Sequence, residues 1–188
     1  FKTSSQVQYV ARTGNFRNAG YKFSGAMRIL TVIMNYEYMW LNIRVKGGAY
    51  GCMSGFLRNG DSYFVSYRDP HMDETNQIYE GIADYVEHFT VDERDMTKYI
   101  IGTISDLDTP LTPYSKGIRA LGSYMMGVTY EMVQKEREEI LFATQDTIRG
   151  LAPAIRAILE EEAVCVIGSE EAIGRSSILS EKRNLFEV

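Results

Sequence analysis

Hydrophobic positions along the chain change period several times, and each change marks an element. From Ser5 to Arg12 the composition is β-type and ends at Thr13-Gly14-Asn15, which predicts a first strand. Ser24 then stands as an N-cap. From Gly25 to about Ile43, Met27, Leu30, Met34, Tyr38 and Leu41 follow helical spacing, predicting a helix broad enough to pack on a sheet, with Tyr36, Tyr38 and Trp40 expected in its core. Asn59-Gly60 lies between the strand-like runs Gly51 to Arg58 and Asp61 to Arg68, the signature of a two-residue type I′ hairpin. In that register Arg58 faces Asp61, Phe56 pairs with Tyr63, Cys52 with Tyr67, and Gly55 meets Phe64.

Asp69-Pro70 closes the second strand and opens a helical region whose face is Ile78, Ile82, Tyr85, Val86 and Phe89. Thr90 with Glu93 reads as a capping box for a helix to about Leu107. Pro113 takes a first helical position, Gly127 ends that helix, and Thr129 caps the next. The run Lys135 to Glu139 reads as the solvated face of the latter. Thr144 and Asp146 restart helix up to Glu162, with Pro153 either kinking or opening it. Ala163 to Gly168 is a short apolar strand. Strands at both ends and in the middle, with helices between and after, predict a single α+β domain over residues 1–188: two layers, a largely antiparallel sheet with helices on one face.

Composition narrows the function classes. The 188 residues carry 20 basic and 25 acidic side chains, intermingled, for a net charge of −5, which argues against a nucleic-acid or anionic-membrane surface. No run of eighteen apolar residues predicts a membrane span. Two cysteines, Cys52 and Cys165, make no disulfide framework and read as reduced core thiols, which favours an intracellular compartment. The opening Phe1-Lys2-Thr3-Ser4-Ser5 has neither initiator Met nor signal pattern, so a piece of a longer protein is expected.

The candidate chemistry sits between the long helix and the hairpin, in Arg44-Val45-Lys46-Gly47-Gly48-Ala49-Tyr50-Gly51. Glycine frees the backbone, Arg44 is a permanent cation and Tyr50 a neutral phenol, a set suited to holding a carbonyl or an oxyanion. The same residues also suit a purely structural job: Arg44 compensating the helix C-terminus, the glycines forming a left-handed stop and Tyr50 filling a strand. Lys46 and Arg68 are open to a substrate-contacting reading, with a solvated lysine and a cross-strand arginine as the default explanations.

The loop Arg44-x-x-Gly47-Gly48-Ala49-Tyr50-Gly51, followed by Phe64-Val-Ser-Tyr-Arg-Asp-Pro70 and then by Ile101-Gly-Thr-Ile-Ser-Asp-Leu-Asp108 and Pro110, resembles the C-terminal domain of presequence proteases. These belong to the inverted-motif, pitrilysin-like zinc metallopeptidases, and the resemblance runs from about Val7 to Gly168. It implies four related α+β domains in two halves that close around a chamber, this chain being the fourth. It implies an active site in which Arg44 and Tyr50 reach across toward the substrate carbonyl, with Gly47, Gly48 and Ala49 beside the bound peptide. The partners it implies are the N-terminal catalytic half and unfolded peptides, bound in part by strand addition to a sheet edge, and peptides too large to be enclosed should be cut slowly. Zinc would be bound by the other half through His-x-x-Glu-His, a motif missing here; in the nearest approach, His71-Met72-Asp73-Glu74-Thr75, a threonine stands where the second histidine belongs. The isolated chain is therefore expected to be inactive. Bacterial cytoplasm is favoured over an organelle matrix. The alternative from another class is a non-catalytic structural or interaction subunit of the same fold.

Overall fold

Alternation along the strands decides which side of the sheet the helices cover. The computed structural model describes residues 1–186 and holds one five-stranded sheet in the order β1-β5-β2-β4-β3, made of β1 (Lys2–Thr3), β2 (Gln8–Asn15), β3 (Gly51–Phe56), β4 (Asp61–Asp69) and β5 (Ala163–Ser169). Only β1 with β5 runs parallel. Val10 and Arg12 of β2 and Ser62, Phe64 and Ser66 of β4 are buried on one face, while Tyr9 and Met53 stand exposed on the other. The covering layer comes from α1 (Ala26–Ile33), α2 (Met72–Glu80) and α8 (Ala152–Glu160), which bring Ile29, Leu30, Ile33, Tyr79, Ile155 and Ile158 into one core with Phe64, and α3 (Ile82–Glu87) packs on α8. Each such side chain contributes about 2 kcal/mol on burial. The two-layer α+β expectation therefore holds, with the two-residue β1 as an addition too short to carry a sequence signal.

A buried cation ties the two layers together. Arg12 is 3% exposed; it donates to Asn76 Oδ1 (3.1 Å) and to the Leu159 carbonyl (2.5 Å) and pairs with Glu80, so the cation ties β2 to α2 and α8.

The hairpin exists, in a different register. Gly51 faces Tyr67, Cys52 faces Ser66, Ser54 faces Phe64, Gly55 faces Tyr63 and Phe56 faces Ser62, one residue away from the predicted pairing. The loop is Arg58-Asn59-Gly60, closed by Leu57 N–H to the Asp61 carbonyl (2.9 Å), with Gly60 alone at positive φ (96°). A type I′ turn would need positive φ at Asn59 too. The reason lies on the open face: a Cβ on Gly51 would come within 2.5 Å of the Tyr67 ring, and one on Gly55 within 2.6 Å of the Tyr63 ring. Two tyrosines lie flat on two glycines, and only this register satisfies both.

The remaining helices follow their caps. Asp92, not Thr90, caps α4 (Glu93–Leu107), accepting from Asp95 N–H at 2.8 Å, because the Thr90 hydroxyl turns back to the His88 carbonyl. Thr129 and Thr144 cap α6 (Tyr130–Leu141) and α7 (Gln145–Arg149) as expected, Pro113 opens α5 (Pro113–Met125) with Thr112 as its cap, and Gly127 stops α5 at φ 65°. Pro153 opens α8. A short α9 (Glu170–Arg175) follows β5. The charge run on α6 is not all solvated: Glu136 is buried and receives Arg58 (2.7 Å) and Arg28 (3.2 Å), which clamps the hairpin tip and α1 to α6. Helix α5 buries none of its residues and exposes Tyr114, Ile118 and Leu121 along one side.

Candidate functional site

The long helix carries the site at its C-terminal end. Beyond α1 it continues as π-type turns, Met34–Tyr38 and Trp40–Lys46. Each wider turn inserts a residue, so the buried face passes through Met34, Met39 and Ile43 instead of Met34, Tyr38 and Leu41. That shift corrects three expectations: Tyr36 is 72%, Trp40 44% and Leu41 47% exposed, and of the three aromatics only Tyr38 packs against the core.

The helix is closed by its own loop. Gly47 N–H donates to the Asn42 carbonyl (3.0 Å), Gly48 N–H to Arg44 (3.2 Å) and Ala49 N–H to Ile43 (3.1 Å), a Schellman-like closure widened by the π turn. Gly48 takes φ 76°, where most other residues would cost about 1–2 kcal/mol. Ala49 is fully buried, and Tyr50 N–H donates to the Arg68 carbonyl (3.3 Å). Four successive N–H groups are thus used inside the chain. What the loop offers a ligand is the exposed Gly48 turn and its flanking side chains.

Those side chains are Arg44 and Tyr50. Arg44 is half-buried, with its guanidinium 5.7 Å from the Trp40 ring; Tyr50 is 59% exposed, its ring packed edge-on to Tyr67 at 5.6 Å and covered by the Arg68 guanidinium at 5.3 Å. Among the described residues neither the Arg44 guanidinium nor the Tyr50 hydroxyl has a hydrogen bond or ion pair. Two strong donors are therefore held on a rigid helix-loop-strand joint without being consumed by it. Residue type alone does not mark Tyr67 and Arg68 as partners of Tyr50, although the spacing Gly51/Gly55 against Tyr63/Tyr67 carries the signal for the first.

Behind this joint a buried carboxylate is fully engaged. Asp69, fully buried, accepts from Ser66 Oγ (2.5 Å), Thr75 Oγ1 (2.7 Å) and His71 N–H (2.9 Å) and so anchors the turn into α2. Burial pushes the Cys52 thiol up to about 11, with Asp69 adding to the rise and Arg44 opposing it. Cys165 is exposed, which corrects its reading as a core thiol: it points to the open face of the sheet. There it lines an apolar groove of about 450 Å³ with Tyr9, Met53, Val65, Tyr67 and Ile167. The free edge of β3 is partly blocked, because the Asn35 amide accepts from Ser54 N–H (2.7 Å) and donates to the Ser54 carbonyl (3.4 Å).

Neither histidine sits in a setting that fits a zinc ion. His71 precedes α2, Thr75 gives its hydroxyl to Asp69, and His88 Nδ1 lies 2.9 Å from the Asp84 carbonyl. Among the described residues no group of three His, Cys, Asp or Glu side chains could hold a metal. No helix among them is long and apolar enough to cross a membrane.

Comparison with known proteins adds to this geometry. The family model described as PreP C-terminal domain matches residues 1–170. The chain is 46% identical over 184 residues to protein HypA of Clostridium perfringens and 35% identical over 185 residues to presequence protease 1, chloroplastic/mitochondrial, of Arabidopsis thaliana. Each match covers 98% of this chain but only 18% and 17% of those proteins, so the chain spans less than a fifth of their length. Among solved structures, pitrilysin superposes with a TM-score of 0.62 at 12% identity, covering 88% of this chain and 18% of that one. The peptidase M16 inactive domain from Pseudomonas fluorescens gives 0.61 at 14%, covering 90% and 42%. These two share the fold.

Proposed function

Since the chain belongs to the presequence protease C-terminal domain family, we propose that it is one domain, residues 1–188, of a longer zinc-dependent peptidase, and that it supplies Arg44 and Tyr50 to an active site whose metal another domain binds. The observation that carries this is the pair of unused donors on a fixed joint. A guanidinium and a phenol aimed where negative charge develops on a peptide carbonyl each contribute about 3 kcal/mol when preorganised away from water. The exposed turn at Gly48, with Gly47 and Ala49 fixing its shape, would lie against the peptide backbone. The bare apolar side of α5 supports a place among other domains of the same polypeptide, the N-terminal catalytic half included. Substrates are unfolded peptides; the mixed, acidic surface suits neither nucleic acid nor an anionic membrane. The location is intracellular, in a bacterial cytoplasm or an organelle matrix.

The test is kinetic. In the full-length enzyme Arg44→Ala and Tyr50→Phe should each lower kcat for peptide hydrolysis by about 10²-fold to 10³-fold while bound zinc, measured by metal analysis, stays unchanged. Unchanged turnover in both variants would refute these roles and leave the chain as a structural domain.

A further inference from the structure

We propose that Arg68 is a positioning residue for Tyr50, an inference that rests on the role given to Tyr50 above. Three observations converge on it. First, Arg68 is one of two non-glycine residues at positive φ among those described, at 49°. Second, it is the unpaired residue of a β-bulge: the β2–β4 register steps from Tyr9↔Tyr67 to Gln8↔Asp69 and leaves Arg68 without a partner. In an unbroken strand the residue after Tyr67 would point to the helix-covered face, where a guanidinium would have to be buried. The bulge re-aims it to the side on which Tyr67 and Tyr50 lie. Third, both ends of Arg68 act on Tyr50. Its carbonyl accepts the Tyr50 N–H at 3.3 Å, and its guanidinium covers the Tyr50 ring at 5.3 Å, opposite no carboxylate among the described residues.

Tyr50 is thereby held between the edge-on contact of Tyr67 and the cation of Arg68. Such a clamp removes rotamer freedom from an exposed phenol before any substrate arrives, which is what a preorganised donor requires. The backbone strain at Arg68 is consistent with a side chain kept for its direction, since an arginine has no preference of its own for this conformation.

The experiment uses the full-length enzyme with Arg68→Gly, which suits the positive φ and removes only the side chain, and Arg68→Lys, which keeps a cation over the ring. Arg68→Gly should melt at or above the parent temperature, lower kcat about tenfold with KM within about twofold, and cause no further loss in a Tyr50→Phe background. Arg68→Lys should recover most of kcat. Parent-like kcat in Arg68→Gly, an equal loss in the Tyr50→Phe background, or an Arg68→Lys enzyme as slow as Arg68→Gly would overturn the positioning role. If Tyr50→Phe alone leaves kcat unchanged, the role of Tyr50 fails and this one with it; kcat lost in Tyr50→Phe but kept in Arg68→Gly overturns the positioning role alone.

Discussion

Gly51→Ala is the most revealing single perturbation of the joint that carries Tyr50. The added Cβ would sit 2.5–2.6 Å from the Oη, Cε1 and Cζ atoms of Tyr67. Ordinary carbon contacts lie at about 3.5–4.0 Å, so the ring must move by roughly 1 Å. It can move, because its far side faces the open groove and not the core. The cost is then the low end of the overpacking range plus part of the edge-on contact with Tyr50, together about 1–2 kcal/mol. For a chain of 188 residues that lowers Tm by about 3–6 °C. The assay is thermal unfolding of four proteins: parent, Gly51→Ala, Tyr67→Ala and the double variant. With the ring gone, alanine should be neutral or slightly stabilising, since it restricts the unfolded chain more than glycine does. An equal drop in both backgrounds would show that the ring is not what Gly51 accommodates, and would remove the physical reason given for the hairpin register.

Two further outcomes follow from the same geometry. Gly48→Ala should destabilise by about 1–2 kcal/mol through its positive φ, whereas Gly48→Asn should recover part of that loss, both read from chemical denaturation. At pH 8 a thiol reagent should modify Cys165 quickly and Cys52 slowly, because a thiol raised to about 11 is almost wholly protonated there; two equally fast thiols would contradict the placement of Cys52. The sign of the linkage is fixed as well: a raised folded-state pKa stabilises fully below the ordinary thiol value of 9.0 and is lost as pH climbs toward 11, so Cys52 favours folding at neutral pH and ceases to do so in alkali.

Much of the fold was legible because local chemistry and global packing agree. Pro113 opens one helix, Thr129 and Thr144 start two more, Gly127 stops one, and Asn59-Gly60 marks a hairpin. The register was not read, because Asn-Gly suits a three-residue loop with glycine in the left-handed region as well as a type I′ turn. The deciding term was longer in range, the four-residue spacing shared by Gly51/Gly55 and Tyr63/Tyr67. Helical spacing puts Trp40 and Leu41 on the core side, but a π turn rotates the helix face and leaves no local signal. Cys165 sits in a run of apolar residues that alternates between a covered and an open face, and composition cannot tell the two apart. At the candidate site, Arg44, the glycines and Tyr50 stood out by residue type. Arg68 did not, since nothing about an arginine announces a bulge.

The central claim concerns where two side chains point when the site is complete. A structure of the full-length protein, closed on an uncleaved peptide, measures that directly. Arg44 and Tyr50 should both place a donor about 2.7–3.1 Å from the oxygen of the scissile peptide bond, beside a zinc ion held by residues outside this chain. Side chains turned away from the peptide, with that oxygen bound by other groups, would contradict the assignment.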